Sequence, residues 1–233
     1  MDTNKKTARI VGVLFIIGTV AGILSVVFTG PILDDPDYLI KVSANENQIL
    51  IGALLVLIMA FALAMVPVML FPILKKHNEA LALGSVVFRG ALEAVTYIAI
   101  VIIWLFLITL SQEYAKAGAP DASYFQDLGT LLLEAAVWIN HMLAIVFCLG
   151  ALMIYYIFYQ SKLIPRWLSV WGLIGAIIYL AEPLLGMFGS ALEILFVPLA
   201  VQEMVFAVWL IVKGFNSSAI ASGSPKTDIN EIK

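Results

Sequence analysis

Between residues 8 and 213 the chain is made almost entirely of six long apolar runs, at about 8–29, 47–73, 81–110, 127–159, 166–188 and 191–213. Each is long enough to cross the hydrocarbon core of a bilayer, which takes about 20 apolar residues in helical form. Lipid offers the backbone no hydrogen-bond partner, so every N–H and C=O must be satisfied within the segment. Runs this long and this uniform therefore read as helices, whereas the strands of a membrane barrel alternate apolar and polar residues over about ten positions. Only 12% of the 233 residues are charged and 62% are hydrophobic, against about 25% charged in a soluble domain. The expected fold class is all-α: a polytopic membrane protein, one bundle of six transmembrane helices over 1–215. The polar, small-residue stretch from 216 to 233 is expected to be a disordered cytoplasmic tail.

The connections predict how the helices are threaded. "KKHNEA", "QSKLIP" and "GMFGSA" are short, and two loops on the other side are longer. With six helices both termini share a face. That face collects Lys5, Lys6, Arg9, Lys75, Lys76, Lys162, Arg166, Lys213, Lys226 and Lys233, ten of the thirteen basic residues. The positive-inside rule then places both termini in the cytoplasm. Lys5, Lys6 and Arg9 before an apolar run resemble the start of a signal peptide, but no small-x-small cleavage site follows, and the first run is expected to stay as a helix. The acidic "DDPDY" at 34–38 reads as a solvated turn. Gly18 and Gly22 have the spacing that lets one helix approach another closely. Tyr155, Tyr156, Tyr159, Trp167 and Trp171 sit where interfacial aromatics belong.

Function must come from the polar groups left at membrane depth. A charge at the centre of a spanning helix costs roughly 2.5 to 3.5 kcal/mol on insertion scales, so such residues are paired or line a pathway. Arg89 and Glu93 lie inside the third run, Asn140 and His141 near the middle of the fourth, and Gln202 and Glu203 at similar depth in the sixth. These six are the candidate buried polar cluster. Glu134 and Glu182, the latter directly before Pro183, are secondary candidates toward the outer side. Arginine keeps its proton, so its donors need acceptors; Glu203 is the expected partner beside Glu93. His141 is the group whose ordinary titration lies nearest neutrality.

Three roles suit such a cluster. A transporter-like protein would use it as a proton-sensitive mid-membrane cavity around a small-molecule or ion substrate. An intramembrane enzyme acting on a lipid-like substrate would use the carboxylates and histidine as acid and base. A structural or sensory subunit would use it only to fix helix packing. The single cysteine, Cys148, excludes a disulfide framework within one chain. The compact ligand spacings of metalloenzyme helices are absent, so no metal and no cofactor is expected, and catalytic residues stay unassigned. The expected partners are the lipid bilayer and that small solute or ion, with no nucleic acid; the oligomeric state stays open.

The stretches "NEALALGSVVFRGALEAV", "SKLIPRWLSVWGLIGA" and "PLAVQEMVFAVWLIVKGF" occur in this order along the chain. Together with "ARIVGVLFIIGTVAGILS" they resemble the bacterial integral-membrane domain-of-unknown-function family 4386. The resemblance implies a six-helix, multi-pass protein of the bacterial cytoplasmic (inner) membrane. It also implies that Arg89, Glu93 and Glu203 are family landmarks. No activity comes with it.

Overall fold

The computed structural model describes residues 3–116, 122–190 and 192–222. Six helices in it are long and apolar enough to cross a membrane. The first is α1 (Thr3–Leu33). A short α2 (Tyr38–Ala44) precedes the second long helix, α3 (Glu46–Leu74). The third long helix is composite: α4 (Glu79–Ser85), a π-helical segment (Val86–Leu92) and α5 (Glu93–Lys116). Next come α6 (Ala122–Ser161) and α7 (Arg166–Gly186). The last long helix opens with a 3-10 turn (Glu193–Phe196) and continues as α8 (Val197–Val212). A short α9 (Ser217–Ser222) follows. The helices overrun the apolar runs at most ends, taking in polar flanking residues.

The acidic stretch is a largely exposed turn over 34–37, as expected, while two other features depart from the sequence expectation. Directly after that turn comes α2, whose Leu39 and Val42 are buried with Ile32, Ile49, Leu107 and Ile108. Ahead of it Asp35 accepts hydrogen bonds from Lys41 Nζ and, at 2.9 Å, from the Asp37 N–H. Those bonds hold its carboxyl below the usual carboxylate range. The expected tail begins as α9: Ala219 is buried, and Phe215 packs on Phe158 at 6.2 Å between ring centroids. The rest of that tail, 223–233, lies outside the described residues. Tyr155, grouped above with interfacial aromatics, is instead a core residue facing Phe158 and Phe206. An aromatic ring with small and apolar neighbours on several helices is drawn inward by the area it buries.

Packing follows small residues. Gly18 and Gly22 of α1 lie against Leu63 and Met59 of α3. Along the same seam the Ser25 hydroxyl donates to the Gly52 carbonyl at 2.9 Å. At the other end Gly12 meets Ala207 and Ile211 of α8, closing α1 between α3 and α8. The principal core spans α1, α3, α4, α6, α7, α8 and α9, and includes Phe15, Leu70, Phe158, Leu168 and Phe206. The start of α4 is set locally: Asn78 is extended and its side chain accepts from the Leu81 N–H at 3.0 Å, satisfying one of the orphan donors of a helix start.

A close approach that bears on the buried charges is at Gly150 of α6. A Cβ there would stand 2.7 Å from the Cβ of Arg89 and 2.8 Å from its backbone nitrogen. On the other flank Gly90 faces Pro67 and the Ala64 carbonyl of α3. The π segment is thus clamped between α3 and α6. Substituting Gly150→Ala is expected to force these helices apart and to lower stability by about 1 to 3 kcal/mol, the usual cost of overpacking. Thermal unfolding in detergent checks this; an unchanged midpoint would refute the clamp.

The turn between α3 and α4 carries His77, whose Nε2 is buried without a hydrogen-bond partner. Burial, and then the charge of Lys76, lower its pKa. A histidine depressed in the folded state gives stability that is present above its unfolded value and lost as the pH falls. The unfolding temperature should therefore decline between about pH 7 and pH 5, and His77→Gln should flatten part of that decline. Parallel slopes for the two proteins would contradict the assignment.

Candidate functional site

The site is built on the clamped third helix. In its π segment the hydrogen bonds reach one residue further than in an α-helix: the Glu93 N–H bonds the Phe88 carbonyl, five residues back. Such wide turns are rare and are frequently found at functional sites. Arg89 lies in the segment and Glu93 begins α5 directly after it. Both side chains are in the interior, each residue 1% exposed.

Arg89 reaches across the bundle. Its Nη2 donates to Glu203 Oε1 on α8 at 2.8 Å. Its Nη1 is 3.6 Å from Glu93 Oε2, an ion pair too long to be a hydrogen bond. Phe147 of α6 covers the guanidinium, with its ring centroid 3.9 Å from Cζ, and Phe15 of α1 lies at 5.6 Å. Four helices therefore meet on one side chain. Stacking of this kind suits arginine, whose planar group is more weakly hydrated than an ammonium.

Charge and hydrogen bonding are uneven within the triad. One guanidinium faces two carboxyl groups. Glu203 holds the short bond and its side chain keeps 12% of its surface accessible. Glu93 is sealed, and neither of its carboxyl oxygens has a hydrogen-bond donor; Arg89 Nη1 is likewise unbonded. Buried polar atoms left this way are few in folded proteins, and each calls for a reason.

Of the remaining candidates, Gln202 is buried beside Glu203, but its amide donates to the Leu168 carbonyl of α7 at 3.0 Å and serves that helix contact. Asn140 and His141 do not join the triad. Asn140 is exposed. His141 packs on Trp138, with ring centroids 5.8 Å apart, and against Gly186 of α7. It precedes Phe147 by six residues, roughly 9 Å along the helix. Depth and rotation both explain the departure: Arg89 meets α6 at Phe147 and Gly150, more than a turn beyond His141, and the angular position of His141 turns it to α7. Glu134 is exposed and Glu182 half-buried. Sequence reasoning missed Phe15, Phe147 and Gly150. The glycine interrupting a helical run was a signal; the phenylalanines carried none, being two among 13.

Among the described residues no three His, Cys, Asp or Glu side chains converge as a metal site would require. The arrangement can hold a strong interhelical ion pair, and its second carboxyl can take or release a proton.

One protein family, described as "Domain of unknown function (DUF4386)", matches residues 10–214. Comparison with curated proteins and with solved structures returns no match.

Replacing Arg89 by methionine strands two buried carboxyl groups. The expected loss is about 3 to 5 kcal/mol, as for other broken buried pairs. Replacing all three members together, as Arg89→Met with Glu93→Gln and Glu203→Gln, should recover much of it. Unfolding temperatures of the single and triple variants check this, and equal losses in both would refute the pairing.

Proposed function

Since the chain belongs to the DUF4386 family, a domain of unknown function that brings no activity with it, we propose its role from the site alone: a transporter-like, proton-linked protein of the bacterial cytoplasmic membrane. The observation that supports this is the unequal sharing of one guanidinium between carboxyl groups on two spanning helices. Arg89 has two alternative partners. When it holds Glu203, Glu93 lacks a donor, and a proton on the spare carboxyl balances the charge. Exchange of partners would move the third and sixth long helices relative to one another, so that proton binding and helix movement are two readings of one equilibrium. Ionisable groups at this depth commonly serve proton relays and substrate pathways.

The orientation that goes with this role has both termini in the cytoplasm. It rests on the excess of lysine and arginine at the end of the bundle that carries the start of α1 and the α6–α7 turn. Glu203, the more accessible carboxyl, is the natural entry for the proton, and Glu93 is the sealed store.

The second reading is architectural. Burial favours it, because a guanidinium capped by two phenylalanine rings makes a dry fastener for four helices. An intramembrane enzyme has less support: the one cysteine is fully buried, and the triad offers carboxyl groups without a converging ligand set.

Difference infrared spectroscopy of the purified protein in lipid separates the two main readings. A proton-linked site should show a carboxyl C=O signal that titrates between about pH 5 and pH 9 and disappears in Glu93→Gln. A protein folded as well as its variant, with no titrating carboxyl in that range, would leave the triad as a fastener only.

A further inference from the structure

The end of the bundle that carries the start of α1 holds a second polar feature, remote from the triad. Two turns are stapled side by side there. The Asn216 N–H donates to the Leu163 carbonyl at 2.9 Å, joining the turn after α8 to the turn between α6 and α7. Between them lies a cavity of about 560 Å³, within the range of small-ligand pockets. Its rim carries Lys162, Arg166 and Lys213, and its floor includes Trp209 and Phe215. Among the described residues none of these three cations is in an ion pair with a carboxylate. Arg166 instead sits over the Tyr159 ring at 5.4 Å.

The cavity is continuous with apolar surface. Trp209 and Lys213 also line an adjoining shelf of about 440 Å³ that runs up α8 over Met204, Val208 and Val212. Val208 and Val212 are strongly exposed, on a helix long and apolar enough to be among acyl chains. Trp167 packs edge-on against Trp209 at 6.3 Å and is itself exposed, which marks this level as the interface where aromatic belts sit.

A ligand that satisfies both parts has an anionic head and a hydrocarbon tail. We propose that this corner binds an anionic glycerophospholipid, its phosphate between Lys162, Arg166 and Lys213 and one acyl chain along the α8 shelf. Basic pockets between spanning helices at the membrane surface recognise such headgroups. The two turns are fixed to one another, so the backbone positions that carry the three cations are set before the lipid arrives, and part of the ordering entropy is already spent.

The test uses delipidated full-length protein in detergent, titrated separately with phosphatidylglycerol, phosphatidylcholine and inorganic phosphate, and read by unfolding temperature and by native mass spectrometry. Phosphatidylglycerol should raise the midpoint and stay bound as a discrete adduct, while phosphatidylcholine and phosphate do neither. The combined variant Lys162→Gln, Arg166→Gln, Lys213→Gln should bind phosphatidylglycerol at least roughly tenfold more weakly, in line with the contribution of each basic residue at an anionic surface. Lys41→Gln with Lys116→Gln, at the other end of the bundle, should bind as the unaltered protein does. Should the triple variant fail to fold, Lys213→Gln alone should weaken binding severalfold relative to its own lipid-free midpoint. Equal retention of phosphatidylcholine, undiminished binding by the charge variants, or a full shift with inorganic phosphate alone would each overturn the proposal.

Discussion

The bundle depends on the need of one guanidinium for company. Arg89 cannot shed its proton, and in an apolar interior a lone cation is not tolerated. Its position dictates what surrounds it: a carboxylate from α8, another from its own helix, and aromatic faces from α1 and α6. Those four sources are the helices that must converge. Apolar side chains alone would drive no such choice, because in lipid a leucine gains little by leaving one hydrocarbon neighbour for another. The ion pair supplies the specificity that hydrophobic packing lacks here, and small residues such as Gly150 and Gly12 let the backbones close around it.

The helices themselves were readable because their signal is physical and redundant: length, apolarity, and the absence of any other way to satisfy a backbone in lipid. The six long helices match the six runs. The π segment was not legible, since its apolar residues fit an α-helix equally well and only the clamp between Pro67 and Gly150 makes the wide turn visible. The short α2 follows the acidic turn, and its buried side chains, Leu39 and Val42, are too few to give a period.

The site was legible in depth for the charged residues and illegible in angle. Counting residues along each run gives depth at about 1.5 Å per residue, and this brought Arg89, Glu93 and Glu203 to one layer. Whether a residue at that depth faces its neighbours or turns away depends on how each helix is rotated. Asn140 and His141 show the consequence: they lie more than a turn along α6 from the triad's contacts, and one is exposed while the other packs on α7. Charge gave the better guide, because a buried arginine has few ways to be satisfied while a histidine or asparagine has many.

The wide turn at Val86–Leu92 has a mechanical meaning for the third helix. A π segment holds one residue more than the α-helical path needs, so it stores a step of rotation. Reeling that residue in would turn one part of the helix against the other by about 100°. Arg89 rides inside the segment and Glu93 just beyond it, so the two charges would leave their shared face without any helix having to break. The third helix thus carries its one irregular turn, among the described residues, at the place where its charges lie.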